Sequence, residues 1–187
     1  MEHSQEKIKS IGTLVTEKDI QYQLIRLLGE GTTSRVYLSL RMPDQFVVAL
    51  KIFKPEFLSF GNEAKEIFVD ELRALATLNH EHVVKMYDYG IEGKIYSKNS
   101  NLVDIWFIVL EYISERTLVD LVKEHSFLDE NIAKYFFAQM IETLNYINSK
   151  GIAHRDIKLE NMLINSDYQL KFADFGFASF TKDLLTS

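Results

Sequence analysis

The sequence predicts an α+β chain of two lobes, an N-terminal antiparallel sheet lobe with one helix followed by a helical C-terminal lobe. Three observations carry this expectation. The first third holds three β-rich runs, Ile20 to Leu28, Arg35 to Leu40 and Phe46 to Phe53, separated by the turns Gly29-Glu30-Gly31-Thr32-Thr33-Ser34 and Met42-Pro43-Asp44-Gln45. Within residues 62–78, Ile67, Phe68, Leu72 and Leu75 recur at helical spacing and define one apolar face. After Tyr112 the apolar pattern becomes helical, with a short helix near Leu118 to Glu124 and a long one from about Glu130 to Ser149.

The remaining elements follow from the same reading. Residues 1–18 are mostly charged or hydroxylated, and only Ile8, Ile11, Leu14 and Val15 are available for burial, so they read as a loosely held N-terminal extension with room for a short helix. The sheet lobe then covers residues 19–113. Two further strands are expected at Val83 to Tyr89 and Ile105 to Tyr112, flanking a long polar loop that contains Gly93, Ser97, Asn99, Ser100 and Asn101. In the long helix Ile132, Phe136, Met140, Leu144 and Ile147 share a face, Asp129 can cap the start and Gly151 the end. This helix is the core of the second lobe, residues 114–187, whose boundary rests on the change of periodicity.

Composition narrows the function. With 187 residues, 47% apolar and 26% charged, the chain suits one globular unit or two small lobes and is too short for two full-size domains. Its longest apolar run, Ile105 to Leu110, is far below the roughly 18 residues of a membrane span, and the polar opening is no secretory signal, so an intracellular protein without membrane contact is expected, cytoplasmic with a nuclear location left open. The absence of cysteine excludes disulfides, thiolate nucleophiles and cysteine-ligated metal. Twenty-one basic against 27 acidic residues give a net charge of -6, which argues against a nucleic-acid partner.

Three local features carry potential chemistry. Glycines between strands usually mark a hairpin, but small residues also let backbone N–H groups approach phosphate oxygens. The turn at Gly29 is followed by the β-type run RVYLSL, which disfavours a dinucleotide-binding unit, and no Gly-Lys-Ser/Thr follows, which excludes a P-loop. Lys51 sits among Val47, Val48, Ala49, Leu50 and Ile52, so its ammonium must reach solvent or find an anion. Glu71 lies on the apolar face of the helix over 62–78. An unpaired buried ion costs about 3–5 kcal/mol, so this carboxylate also needs a partner. Glu66 is the rival for the same role.

Taken in order, Gly29-x-Gly31-x-x-Ser34-x-Val36, Val48-Ala49-Leu50-Lys51, His154-Arg155-Asp156-Ile157-Lys158-Leu159-Glu160-Asn161 and Asp174-Phe175-Gly176 resemble the eukaryotic protein kinase family, over residues 20 to about 180. The resemblance implies transfer of the γ-phosphate of ATP, with Mg2+, to a serine or threonine hydroxyl of a protein substrate. It assigns Leu28, Gly29, Glu30, Gly31, Thr32, Thr33 and Ser34 to the ATP site, Ser34 being a departure from the usual third glycine. Val36, Ala49 and Leu163 would sandwich the adenine, Glu111 to Ile113 would form the hinge that bonds its edge, and Leu110 would be the gatekeeper. Lys51 would hold the α- and β-phosphates and be oriented by Glu71. Phosphoryl transfer needs a carboxylate to accept the hydroxyl proton, a cation to offset moving charge and oxygen ligands for magnesium. Asp156, Lys158 and Asn161 supply those parts, with Asp174 as the second magnesium ligand. Leu75, Met86, His154 and Phe175 would stack as a spine.

Finer implications come from the same motifs. Lys158, two residues after Asp156, resembles serine/threonine kinases more than tyrosine kinases, and Asp174-Phe175-Gly176-Phe177-Ala178-Ser179 is similar to the calmodulin-dependent and AMP-activated-like groups. Arg155 beside Asp156 is the family's sign of control by activation-loop phosphorylation, with Thr181, Thr186 and Ser187 the hydroxyls that follow. The sequence stops at Ser187, before the Ala-Pro-Glu motif and the later helices of the family. A truncated kinase region is therefore expected, with Phe136, Phe137 and Met140 losing part of their cover, which predicts poor solubility or a partner protein. The alternative expectation is a kinase-like module that holds nucleotide or a partner without turnover.

Overall fold

In a computed structural model, residues 10–96, 104–113 and 116–181 are described, and they form two compact units: Met1–Ser59 with Tyr87–Tyr112, and Phe60–Met86 with Ile113–Ser187. The first is built from strands β1 (Gly12–Val15), β2 (Gln21–Glu30), β3 (Ser34–Met42), β4 (Phe46–Phe53), β5 (Met86–Tyr96) and β6 (Asp104–Glu111), with a single turn of helix, α1 (Pro55–Leu58). Their order, β1-β2-β3-β4-β6-β5, closes on itself because β1 pairs antiparallel with both β2 and β5, Leu14 lying opposite Tyr22 on one side and Ile95 on the other. A closed barrel removes free sheet edges, which an open sheet would leave exposed. Alternation puts Leu14, Tyr22, Leu24, Leu50, Ile105, Phe107 and Val109 into its core. Strand β4 is buried from Val48 through Phe53, so both of its faces are covered.

Two expectations are corrected here. Residues 12–15 are neither a loose extension nor a helix; Leu14 is fully buried and its strand completes the barrel. The fifth strand begins later than Val83 and continues through Gly93, which is therefore a strand residue and not part of a loop. The glycines have a packing reason. A Cβ at Gly90 would lie 2.5 Å from Phe107 Cε1, and one at Gly93 would lie 2.7 Å from Phe107 Cδ1, so the Phe107 ring occupies the space that side chains would need. Ser97, Asn99, Ser100 and Asn101 lie outside the described residues.

The second unit contains α2 (Asn62–Thr77), α3 (Leu118–His125), α4 (Glu130–Ser149), a 3-10 turn at Leu159–Asn161, and four short strands. These are β7 (Ile152–Ala153), β8 (Met162–Ile164), β9 (Leu170–Phe172) and β10 (Ser179–Phe180), paired as β8 with β9 and β7 with β10. Helix α3 starts on a capping box, Thr117 and Asp120 each bonding the other's backbone N–H. Asp129 caps α4 by accepting from Asn131 N at 2.9 Å, and Gly151 at φ +69° turns the chain out of it, as the sequence predicts. The buried face of α4 is Phe136, Gln139, Thr143 and Ile147. Phe136 is therefore core and not an uncovered residue, whereas its neighbour Phe137 is 62% exposed and Met140 is intermediate. Gln139 has a structural task on this apolar face, accepting from Leu170 N of β9 at 2.8 Å.

Helix α2 groups with the second unit, whereas the sequence division at 113/114 joined it to the sheet. Its chain is tied there by local bonds. The Arg73 guanidinium lies 4.4 Å over the Phe180 ring, Val84 N donates to Phe172 O at 3.0 Å, and His82 Nδ1 lies 2.9 Å from Leu170 O. Among the described residues, no helix is long and apolar enough to cross a membrane.

Candidate active site

The predicted site residues fall into two groups, one in each unit. In the barrel unit, β2 and β3 form a tight hairpin whose register puts Gly29 opposite Val36 and Glu30 opposite Arg35. Gly31 N donates to Ser34 O at 2.9 Å and closes the turn. The register slips between Leu24 and Arg26 and again between Leu27 and Gly29, and such irregularities bend the strand that leads into the turn. Gly29, Gly31 and Thr32 are exposed, Thr33 is intermediate and Ser34 is buried. Leu28 and Val36 are intermediate. Lys51 stands on β4 opposite Val36, and is only 5% exposed. Its ammonium lies 5.5 Å from the centre of the Phe53 ring. Ala49 pairs with Leu110 and Val48 with Glu111, so the adenine-edge candidates sit at the end of β6. Ile113 belongs to the second unit and is intermediate in exposure.

In the helical unit, the segment after β7 gathers the charged candidates. Lys158 Nζ lies 2.7 Å from Asp156 Oδ2. Asn161 Nδ2 donates to the same Oδ2 at 2.8 Å and to Asp156 O at 2.9 Å. The Lys158 ammonium first, and the Asn161 amide after it, hold the Asp156 carboxyl below its usual range, and Asp156 in turn raises Lys158. Asp156 is therefore an ionised carboxylate at neutral pH.

A second layer of bonds fixes this loop. His154 is 3% exposed; its Nδ1 accepts from Asp156 N at 3.3 Å, and its Nε2 lies 3.2 Å from Ala173 O. Ala173 N donates to Asn161 O at 2.9 Å, so the residue preceding Asp174 is anchored to the residue that holds Asp156. Phe175 is buried and its ring packs on His154 with centroids 4.6 Å apart. Asp174 has φ 57° and Arg155 φ 63°, left-handed conformations at which a non-glycine residue is uncommon. Arg155 Nε donates to Phe177 O at 2.7 Å, tying the catalytic-loop candidate to the segment after Gly176.

The oxygens present suit magnesium. With both Asn161 Nδ2 bonds spent on Asp156, the free polar atom of that amide is a neutral oxygen, and Asp174 adds an exposed carboxylate in the same unit. Among the described residues no group of three or more His, Asp or Glu side chains forms a metal cluster. Of the two glutamates on α2 named from the sequence, Glu71 is 1% exposed while Glu66 is exposed. Leu163 lies on β8 and is itself bridged antiparallel to Thr117. A cavity of about 610 Å³ at the α3–α4 end of this unit, lined in part by Leu121, Phe127, Ile132 and Tyr168, contains none of the predicted site residues.

Sequence reasoning missed Lys54. Its ammonium lies 2.7 Å from Glu30 Oε1, and Arg35 NH2 lies 3.1 Å from the same oxygen. A lysine that ends an apolar strand reads as ordinary surface, and only its position beside the turn distinguishes it. The role of His154 as a hydrogen-bond bridge between residues 156 and 173 was also invisible, since it depends on backbone atoms far apart in sequence.

A barrel unit with a glycine hairpin, followed by a helical unit whose loop collects an aspartate, a lysine and an asparagine, is a kinase-like fold. Residues 22–185 match the protein kinase domain family, and the chain belongs to that family. Its curated relatives carry kinase names, some of them serine/threonine-protein kinase. It is 33% identical over 181 residues to serine/threonine-protein kinase cds1 of Schizosaccharomyces pombe, covering 95% of this chain and 36% of that protein. It is 31% identical over 159 residues to NUAK family SNF1-like kinase 2 of Rattus norvegicus, covering 85% of this chain and 23% of that one. With CBL-interacting protein kinase 32 of Oryza sativa subsp. japonica it shares 31% identity over 173 residues, 92% of this chain and 37% of the relative. The chain thus spans between about a quarter and somewhat over a third of the length of these relatives.

Proposed function

We propose that the chain is the catalytic region of a serine/threonine protein kinase that transfers the γ-phosphate of ATP, with Mg2+, to a protein hydroxyl. The observation that carries this reading is the Asp156 carboxylate held by Lys158 and Asn161 through the same oxygen, Oδ2. Two donors on Oδ2 leave Oδ1 to accept the substrate hydroxyl. As the hydroxyl oxygen forms its bond to the γ-phosphorus and the bond to the ADP oxygen breaks, the proton passes to Asp156. Lys158 offsets negative charge on the moving phosphoryl group. Asn161 through Oδ1 and Asp174 through its carboxylate would hold magnesium, which when bound neutralises phosphate charge. On the barrel unit, the backbone of residues 29–34 receives phosphate oxygens and Lys51 binds the α- and β-phosphates. Lys51 in the barrel unit and Glu71 in the helical unit are both buried.

The test is a thermal-unfolding shift of the 187-residue chain with and without Mg-ATP, beside Asp174→Asn and Lys51→Met, followed by transfer of labelled phosphate to a serine/threonine peptide library. Ligand at 100 times its dissociation constant adds roughly 2.7 kcal/mol to a fold that alone binds it. A shift lost in both variants, with labelled product from the parent chain, supports the reading. A shift without product favours a nucleotide-binding module lacking turnover, and no shift removes the nucleotide site.

A further inference from the structure

The glycine hairpin carries an anion where phosphates are to bind. Glu30 lies between the two glycines, and a carboxylate beside a triphosphate opposes it by like-charge repulsion. Two cations meet that carboxylate at one atom, Oε1: Lys54 at 2.7 Å from the residue after β4 and Arg35 at 3.1 Å from the facing position on β3. Lys54 is also bonded to the tip through its main chain, its N–H donating to Thr33 O at 2.9 Å. The side chain of Lys54 is 17% exposed against 45% for Arg35, so Lys54 is the more shielded of the two partners and the less screened by salt. Both bonds lower the proton affinity of Glu30, the one from Lys54 more, which keeps the carboxyl ionised and the pair formed.

We propose that Lys54 is a positioning residue for the nucleotide: it clamps the Glu30 carboxylate, so that the glycine turn is fixed and presents a net positive ion cluster to the phosphates. The three side chains together carry one surplus positive charge. Without Lys54 the cluster is neutral and Glu30 is held by the exposed Arg35 alone. Lys54 touches no reacting atom in this scheme, and it acts through Glu30 and the turn. It differs in this from Lys51, three residues earlier on the buried strand, which is assigned to phosphate directly.

The proposal rests on the glycine turn binding nucleotide phosphates, so the experiment separates the two. Dissociation constants of adenosine, ADP and ATP with Mg2+ are measured by calorimetry on the 187-residue chain, on Lys54→Met, on Lys54→Arg and on the double variant Glu30→Gln/Lys54→Met, each checked for a cooperative unfolding transition. Lys54→Met is expected to weaken ATP about fivefold and adenosine less than twofold, because a charge effect grows with phosphate number. Lys54→Arg should bind ATP like the parent. The double variant restores the surplus positive charge through Arg35 and should recover ATP affinity to within about twofold. Equal losses for adenosine and ATP, unchanged ATP binding in Lys54→Met, or a double variant as weak as the single one would each overturn the clamp while leaving parental nucleotide binding intact. A parent chain that binds no nucleotide would remove the nucleotide reading, and the clamp with it.

Discussion

Asn161 grips Asp156 twice, donating its side-chain amide to both the carbonyl oxygen and Oδ2 of that residue at 2.9 and 2.8 Å. The aspartate's backbone and carboxylate are thereby set by one planar group, and Lys158 adds a charged bond to the same oxygen. This separates two roles that mutation can tell apart. Asp156→Asn keeps the shape but removes the proton acceptor, so phosphate transfer should fall by about 10²-fold or more while nucleotide affinity changes less than about twofold. Initial rates with labelled ATP and a separate binding titration measure the two quantities. An unchanged rate would take Asp156 out of the mechanism.

His154 predicts a pH dependence. Its burial lowers its pKa below the ordinary value, ahead of the Ala173 hydrogen bond and the Asp174 and Asp156 charges that act the other way, so the neutral ring is preferred. Nδ1 accepts from Asp156 N, so a proton there would confront another N–H. Because the folded pKa lies below the unfolded one, the unfolded chain binds more protons in between. Stability is therefore complete above the unfolded value of about 6.5 and is lost as pH falls from there through the folded value. Melting temperature should decline between about pH 7 and pH 5, and His154→Gln should decline less steeply over that interval. Asp156, whose pKa is also lowered, acts only under more acid conditions, below the unfolded carboxylate value of about 3.9. Parallel declines in the two proteins would assign the effect to other groups.

The parts legible in the sequence were those with a local signature. The helical periods of α2, α3 and α4, the Asp129 and Gly151 caps and the order of the charged motifs all depend on residues a few positions apart. Barrel closure depends on Leu14 meeting Ile95, a pairing that no local period encodes, so four residues in a polar stretch read as a loose extension. Gly90 and Gly93 carry a turn signal in sequence, yet they are glycine because of Phe107 on another strand. Phe136 and Phe137 are adjacent aromatics of one helix, and only the packing of β7 and β9 on α4 decides which is buried. The Glu30–Lys54 contact joins a turn to the end of a neighbouring strand and leaves no trace in spacing.

Phe107 leaves no room at Gly90. A Cβ there would meet Phe107 Cε1 at 2.5 Å and Cζ at 2.6 Å, and the ring, 2% exposed in the barrel core, has little space to yield. Gly90→Ala should therefore destabilise the protein by about 1–3 kcal/mol through overpacking. Phe107→Leu alone should destabilise by leaving a void, but in that background Gly90→Ala should become nearly neutral. A double-mutant cycle by denaturant unfolding measures the coupling, and additive effects would show that Phe107 is not the obstacle.

The last prediction concerns β1. Leu14 is fully buried, flanked by the registers that join its strand to β2 and β5, and it packs in the same core as Tyr22 and Leu24. Truncating such a side chain removes transfer free energy and leaves a cavity, so Leu14→Ala should cost about 2–5 kcal/mol. Ile11, just before the strand and 55% exposed, serves as the control, and Ile11→Ala should stay within about 0.5 kcal/mol of the parent. Loss of the strand should also be felt at its partner: amide exchange at Lys94 and Ile95 should accelerate in Leu14→Ala but not in Ile11→Ala. Thermal unfolding and exchange together decide the matter. A Leu14→Ala protein as stable and as protected as the parent would mean that residues 12–15 do not close the barrel, and β5 would then be an open edge.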